Sequence, residues 1–158
     1  MKPKRMKLIK VKLMSEALHF HFDVDGASFA NAGKASVETK KLLRQLGVSP
    51  ETIRRVSVAM YEGEINMVIH AHGGDADLYV TEDTILITLK DVGPGIRNVE
   101  DAMKEGFSTA PENIRALGFG AGMGLPNMKR YSDEMHIDTK VGVGTTIELW
   151  YHLKPAEQ

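Results

Sequence analysis

The sequence predicts an α/β fold of the α+β kind, a two-layer sandwich in which a mixed, mainly antiparallel sheet carries helices on one face. Two pairs of β-rich runs, each pair joined by a short turn, predict hairpins at residues 76–90 and 135–152. Two longer helix-like segments, at residues 28–46 and 50–70, precede the first hairpin. These observations predict one domain in which the two helices cover the sheet.

The first boundaries follow from capping and turn residues. A strand is predicted at residues 18–24, and the helix after it should end at Gly47, since glycine commonly terminates helices. Ser49 and Pro50 are a preferred N-cap and a preferred first helical residue, so they should start the second helix.

The long connection at residues 96–117 separates the first hairpin from a short helix, which should begin at Gly124 or Leu125 and end near Tyr131. Loops of this length inside a small domain are usually functional, for example as lids over a binding site. We therefore expect a lid here.

The first 16 residues are basic and are expected to form an extension to a domain at residues 17–153, with a short tail at 154–158. Apolar residues and lysines alternate at residues 9–13, which predicts an extra edge strand protected by its lysines. Binding of anionic lipid or nucleic acid by this stretch is the less favoured interpretation.

Composition excludes several classes of function. The formal net charge is −1, from 20 basic and 21 acidic residues, so we expect no nucleic-acid partner for the domain as a whole. The chain has no cysteine, hence no disulfide and no thiol nucleophile. No apolar run approaches the roughly 18 residues of a membrane span. We expect a cytoplasmic protein.

Glu62 and Asn66 lie four residues apart on the second predicted helix and therefore share one face. The amide oxygen of Asn66 suits Mg²⁺, which prefers oxygen ligands, and Glu62 is a candidate general base for a nearby hydroxyl. A solvated helix face is the alternative interpretation of the pair. His19 and His21 share one face of the first strand, and because the sequence places no carboxylate beside them, we expect structural or surface histidines.

Asp91 follows a β-rich run, and Gly93 and Gly95 follow it at alternate positions. A carboxylate at a strand end can accept a hydrogen bond from an exocyclic amine such as that of adenine. A surface turn is the alternative, because aspartate and glycine are common in turns. Likewise, Thr145 follows a Gly-x-Gly pattern that would suit the turn of the last hairpin.

Glycines alternate with other residues ahead of the short helix, at Gly118, Gly120, Gly122 and Gly124. Such a loop lets amide N–H groups converge on a phosphate, and a helix start adds further N–H donors. The pattern is typical of a nucleotide site, and a Gly-rich surface loop is the alternative.

Together, the order of these motifs resembles the GHKL ATP-binding superfamily, which includes gyrase, MutL and the histidine kinases. Further segments extend the resemblance to the bacterial anti-sigma-factor serine kinases, and especially to the switch-protein kinases of partner-switching pathways. Those segments lie at residues 91–96, 106–109, 122–126, 129–130 and 133–134. The resemblance covers roughly residues 17–152.

This resemblance implies a small kinase that uses MgATP to phosphorylate a serine or threonine of a STAS-domain antagonist. A sigma factor or another effector is an implied second partner, and a homodimer is a further expectation. The implied catalytic base is Glu62, and Asn66 would hold Mg²⁺ against the ATP phosphates. The implied ATP-binding residues are Asn66, Asp91, Gly93, Gly95, Gly118, Gly120, Gly122, Met123, Gly124, Leu125 and Thr145.

Two features depart from that family pattern. Residues 110–116 lengthen the lid, and the basic stretch before Leu13 is additional to the minimal domain. Two alternative functions stay open: a nucleotide-dependent module that binds a sigma factor or regulator with little phosphotransfer, and a detached histidine-kinase-type ATPase domain.

Overall fold

A computed structural model describes residues 3–27, 29–104 and 124–154. Its elements in chain order are α1 (Pro3–Glu16), β1 (Leu18–Asp25), a 3-10 turn (Phe29–Asn31), α2 (Lys34–Gln45), α3 (Pro50–Ala71), β2 (Gly73–Val80), β3 (Thr84–Lys90), α4 (Val99–Ala102), α5 (Gly124–Arg130), β4 (Glu134–Lys140) and β5 (Gly144–His152).

The five strands form one sheet in the order β1-β2-β3-β5-β4. Every strand pairing among the described residues is antiparallel, so the sheet is not mixed in this part of the chain. Both predicted hairpins are present, as β2–β3 and β4–β5. The predicted fold class, a sheet layered with helices, is confirmed.

Alternate residues of the strands point toward α2, α3 and α5 and form the main core. Leu78, Ile87 and Leu149 are fully buried there, together with Val56 and Met60 of α3. We call this side of the sheet the inner face. Its continuous apolar packing fixes α3 against the strands, and α3 is the helix that carries Glu62 and Asn66.

The start of α3 is built as its sequence predicts. Ser49 precedes the helix in an extended conformation, and its side chain accepts a hydrogen bond of 3.3 Å from the backbone N–H of Thr52. Pro50 occupies the first helical position, where the missing N–H costs no helical bond.

The start of α2 depends instead on a residue of α3. The buried carboxylate of Glu64 accepts hydrogen bonds from the backbone N–H groups of Ala35, at 2.8 Å, and Ser36, at 3.2 Å. Burial raises the pKa of Glu64, and the backbone donors partly oppose this. A side chain thus satisfies the unpaired N–H groups at this helix start.

The prediction of an extra strand near residues 9–13 is wrong, because this segment belongs to the helix α1. The alternation spans only five residues, whereas its lysines, leucines and methionines are good helix formers. Leu13 packs on the sheet face opposite the main core, in a second cluster with Tyr79, Leu86 and Trp150.

We call this opposite side of the sheet the outer face. Because α1 packs there, the expectation that helices cover one face only is corrected. An ion pair between Lys10 and Glu148 of β5 also joins α1 to the sheet. In the part of the chain that the structure describes, no helix combines the length and apolar character needed to cross a membrane.

Candidate functional site

Glu62 and Asn66 lie where α3 meets α5. The side-chain amide of Asn127, on α5, donates to Oε1 of Glu62 at 3.3 Å. Asn66 lies one turn further along α3, with its Nδ2 atom 3.9 Å from the sulfur of the buried Met128. Both side chains are half-buried, so the contact with α5 orients them while leaving them accessible.

Gly124, the first residue of α5, approaches Asn66 closely. A Cβ atom on this glycine would lie 2.9 Å from Oδ1 of Asn66 and 3.0 Å from its Nδ2. Only a residue without a side chain leaves this space open. The start of α5 therefore lies directly beside the amide that the sequence singled out.

Asp91 follows β3 and is held by backbone donors. Its Oδ1 atom accepts hydrogen bonds from the N–H of Gly93, at 2.9 Å, and of Thr145, at 3.2 Å. The backbone N–H of Asp91 in turn donates to the carbonyl oxygen of Thr145 at 2.9 Å. Among the described residues no group donates to Oδ2, which leaves that oxygen able to accept a bond from a ligand.

Gly93 packs against the end of α3, because a Cβ atom there would lie 2.6 Å from Cβ of Ala71. The turn after Asp91 is therefore pressed against the helix that carries Glu62 and Asn66. Gly95 lies beside the backbone of Lys140 and Val141 in the turn between β4 and β5.

Thr145 is buried and joins a small hydroxyl network. Its Oγ1 atom lies 2.8 Å from Oγ1 of Thr139, which also accepts from the backbone N–H of Ile96 at 2.9 Å. The network ties the beginning of the long connection to the β4–β5 hairpin. Thr139 was missed by sequence reasoning, because only the pairing of β4 with β5 brings it to Thr145.

His70 follows Asn66 by one helical turn and links α3 to Asp91. Burial lowers the pKa of His70, and the negative charge of Asp91 partly opposes that shift. The two residues are thus close enough to interact electrostatically. Glu62, Asn66 and His70 form a stripe along α3 that ends at the strand end carrying Asp91.

A groove of about 730 Å³ opens beside Glu62, between α3 and the start of α2. Its walls are mostly apolar, so Glu62 stands at the edge of a space that another chain segment could enter. Residues that line it include Gly33, Ser36, Val37, Val58, Tyr61 and Glu62.

Part of the predicted site lies outside the described residues. This applies to Gly118, Gly120, Gly122 and Met123, and to the long-lid segment at 110–116. Leu125 is described, and it is buried in the main core rather than open to a ligand. Asn127 is a further site residue that no sequence motif marks, because only the packing of α5 against α3 brings it to Glu62.

The donor set around Asn66 fits a hard cation. Among the described residues no donor bonds its Oδ1 atom, and an amide oxygen is a ligand type that Mg²⁺ accepts. Mg²⁺ usually takes only one or two protein ligands and leaves the remaining positions to water and phosphate oxygens. One amide oxygen beside a helix start meets that requirement.

This arrangement agrees with known proteins. The protein-family model described as the histidine kinase-like ATPase domain matches residues 27–151 of this chain. The chain belongs to this family. The match includes α2, α3, all the described site residues and the final hairpin, while α1 precedes it.

Similar curated proteins narrow the relationship. The anti-sigma F factor of Anoxybacillus flavithermus is 31% identical over 146 residues, which are 89% of this chain and 94% of that protein. The anti-sigma F factor of Bacillus subtilis is 27% identical over 150 residues, which are 91% of this chain and 97% of that protein. This ATPase-domain protein therefore matches anti-sigma F factors along nearly their whole length.

Two solved structures share the fold. The RsbU and RsbW domains of a Mycobacterium tuberculosis protein match with a TM-score of 0.57 at 17% identity, over 89% of this chain and 34% of that longer one. The SiaB-SiaC complex of Pseudomonas aeruginosa matches with a TM-score of 0.57 at 12% identity, over 94% of this chain and 99% of the matched chain. At these identities the likeness supports the fold alone.

Proposed function

We propose that this chain is an ATP-dependent serine/threonine kinase of the anti-sigma regulatory type, which phosphorylates a STAS-domain antagonist in a cytoplasmic partner-switching pathway. The observation that carries the proposal is the stripe of Glu62, Asn66 and His70 on α3, with the start of α5 on one side and Asp91 at its end. The resemblance to anti-sigma F factors supports a sigma factor as a second partner.

In this proposal ATP lies across the stripe, with its adenine at Asp91. Two backbone N–H groups donate to one carboxylate oxygen of Asp91 and so fix the orientation of the side chain. The other oxygen can then accept a hydrogen bond from the exocyclic amino group of adenine without any rotation of the side chain. Gly93 keeps this wall thin, and Thr145 supports it from behind. The phosphates would then extend toward Asn66 and the start of α5, where helix N–H groups favour anions.

Asn66 would hold Mg²⁺ through its amide oxygen. The ion, when bound, supplies positive charge that neutralises the phosphate oxygens during transfer. The contacts of Asn66 with Gly124 and Met128 hold its side chain at the junction of α3 and α5. The amide oxygen that would bind Mg²⁺ is therefore positioned before ATP binds, and catalysis by positioning depends on such preorganised groups.

Glu62 would act as the base toward the acceptor hydroxyl, which would enter by the groove beside it. The hydroxyl oxygen forms a bond to the γ-phosphorus while the bond from that phosphorus to the β–γ bridging oxygen breaks, so ADP leaves. Oε1 of Glu62 is oriented by Asn127, and the carboxylate takes the hydroxyl proton. The product is a phosphoserine or phosphothreonine on the partner.

The test is transfer of radiolabel from γ-labelled ATP to a STAS-domain protein of the same organism. We expect acid-stable label on serine or threonine with the wild-type chain, and transfer slowed by about 100-fold or more in Glu62→Gln. Glu82→Gln is the matched control, because Glu82 is an exposed glutamate in the turn between β2 and β3 and does not line the groove. It should transfer at the wild-type rate.

Equal rates in wild type and Glu62→Gln would refute the role of Glu62 as base. Binding of ATP by calorimetry without label on any partner would instead favour a nucleotide-dependent module that binds a sigma factor. Acid-labile label on a partner histidine would favour a histidine-kinase-type activity.

A further inference from the structure

The outer face of the β1–β2 pair carries a cluster of histidine and aspartate side chains away from the proposed ATP site. His21 pairs directly with Asp77 across the two strands, and Asp23 pairs with Asp75. Since side chains alternate between faces along a strand, all four point to the outer face. Their alternate neighbours Phe20, Phe22 and Val24 pack on the inner core.

The ligand-type atoms of this cluster converge. Nε2 of His21 lies 3.1 Å from Oδ1 of Asp23 and 3.5 Å from Oδ1 of Asp75, and the three atoms lie within 4.8 Å of one another. Zinc–nitrogen and zinc–oxygen bonds of about 2.1 Å at a tetrahedral angle separate two ligand atoms by about 3.4 Å. The two nitrogen–oxygen distances lie on either side of that value.

We propose that His21, Asp23 and Asp75 form a site for a divalent transition metal ion, with Zn²⁺ as the best-fitting case. One imidazole nitrogen and two carboxylate oxygens match the ligands that zinc accepts, whereas Mg²⁺ and Ca²⁺ prefer oxygen alone. The fourth position would be filled by water, since the cluster is open to solvent. The ion would join β1, an edge strand, to β2.

The orientation of His21 supports this site. Its Nδ1 atom lies 2.9 Å from Oδ1 of Asp77, and an ionised carboxylate can only accept, so Nδ1 carries the proton. In the neutral imidazole the lone pair is then on Nε2, which faces Asp23 and Asp75; a second proton on Nε2 would instead donate to Asp23. A carboxylate behind a metal-binding histidine is the usual arrangement that fixes its tautomer.

Asp77 is itself held in position by His19. Nε2 of His19 lies 2.7 Å from the same Oδ1 atom, and the His19 ring stacks on Tyr79 with centroids 4.4 Å apart. Asp77 is the least exposed carboxylate of the cluster, with 19% of its side chain accessible against 53% for Asp75. The supporting group is therefore better ordered than the ligands that it supports.

The charge around Nε2 also calls for a cation. Two carboxylate oxygens face a nitrogen lone pair, which is repulsive unless a proton or a metal ion lies between them. Lys90 is opposite Asp75 on β3, yet among the described residues no ion pair joins the two. A proton on Nε2 is the competing occupant, and it is the outcome that the experiment must separate from a metal.

The experiment is calorimetric titration of the full chain, free of nucleotide and of any affinity tag, with ZnCl₂ at pH 7.5. We expect one zinc ion per chain and a rise in the thermal unfolding midpoint. His21→Asn and Asp75→Asn should each weaken binding by about tenfold or more, and Asp77→Asn should weaken it by about tenfold through the lost support. Titration with Co²⁺ should give visible absorption bands that His21→Asn removes.

His152→Asn is the matched control. His152 is also an exposed histidine beside a carboxylate, with Nε2 at 3.0 Å from Oε2 of Glu134, but among the described residues it does not belong to a group of three converging ligand atoms. It should bind zinc as the wild type does. Unchanged melting of zinc-free His21→Asn would establish that this variant is folded.

Absence of zinc binding up to about millimolar concentration would overturn the proposal and leave a proton as the occupant. Binding that persists in His21→Asn, or that His152→Asn weakens equally, would overturn it as well. None of these outcomes bears on kinase activity, because the cluster and the proposed ATP site lie on opposite faces of the sheet.

Discussion

The inner and outer faces of the sheet use alternate residues of the same strands but position their polar groups by different means. On the inner face, α2, α3 and α5 cover a continuous core, and Glu62 and Asn66 lie at its margin. On the outer face, α1 is the one described helix that packs on the sheet, through the small cluster around Leu13. The His21 cluster there is exposed, and it is arranged by the register of β1 with β2 and by hydrogen bonds between side chains of those two strands.

This difference shows where precision comes from in this fold. Asn66 is oriented by contacts with Met128 and Gly124, so its geometry depends on how a whole helix packs. His21 and Asp75 depend on the pairing of β1 with β2. We therefore expect core substitutions to disturb the inner site and to leave the outer cluster intact whenever the strands stay paired.

The largest expected effect is a contrast between two leucines that are equally buried on opposite faces. Leu149 lies in the main core and Leu86 in the outer cluster, and both are fully buried. Urea denaturation should show Leu149→Ala lowering the free energy of unfolding by about 4 kcal/mol and Leu86→Ala by about 2 kcal/mol, because the smaller cluster can collapse around the cavity. A larger loss for Leu86→Ala would reverse the proposed ranking of the two faces.

Glu64 allows the buried carboxylate of the inner layer to be compared with the exposed carboxylates outside. Glu64→Ala leaves the N–H groups of Ala35 and Ser36 without their acceptor, so we expect a loss of about 2 kcal/mol at pH 7. Glu64→Gln keeps one acceptor and should lose less. Urea denaturation checks both values.

The pH dependence of Glu64 has a definite sign. In the unfolded chain the pKa of Glu64 is near 4.5, and burial raises it in the folded chain. Somewhat above pH 4.5 the folded chain therefore still binds a proton that the unfolded chain has released. Wild-type stability should therefore rise relative to Glu64→Gln as the pH falls from 7 toward 5. The exposed Glu38→Gln should show no such trend, and a wild-type curve parallel to that of Glu64→Gln would contradict the shift.

Gly124→Ala should act on the site and hardly on the fold. The added methyl group would press on the amide of Asn66, so we expect ATP affinity to fall by about tenfold, or about 1.4 kcal/mol, in calorimetry with MgATP. Stability should hold, since alanine is the better helix former. Gly47→Ala is the control, because an alanine at the φ of 79° found there would strain the backbone after α2, outside the described site residues. Unchanged affinity in Gly124→Ala would separate Asn66 from the nucleotide.

Local signals in the sequence were sufficient for most of the fold. The Ser49–Pro50 helix start, the glycine after α2 and the short hairpin turns each act within a few residues. The helices and strands predicted after residue 17 are present in the described part of the chain. The prediction of a strand at residues 9–13 was wrong, because a five-residue alternation is too short to distinguish a strand from a helix. The deciding fact was a contact of Leu13 with Trp150, which lies at the other end of the chain.

The same distinction applies to the site. Glu62, Asn66 and Asp91 were selected because each sits in a motif that its own segment defines. Asn127 and Thr139 had no such motif, since their roles come from contacts with segments distant in sequence. The partners of His21 were hidden for that reason, because Asp75 and Asp77 become its neighbours only through the register of β1 with β2.

The smallest expected effect tests whether Asp91 and His70 belong to one site. Burial lowers the pKa of His70, and Asp91 partly opposes that shift, so Asp91→Asn should lower the pKa of His70 further. Below a pH of about 6.5, His70 is protonated in the unfolded chain but stays neutral in the folded chain. The free energy of unfolding should therefore decrease as the pH is lowered through this range. In Asp91→Asn this decrease should extend to lower pH. The Cε1–H resonance of His70, assigned with His70→Gln, reports the pKa in an NMR titration. Asp75→Asn on the outer face should leave that titration unchanged, and a His70 pKa insensitive to Asp91→Asn would place the two residues in separate environments.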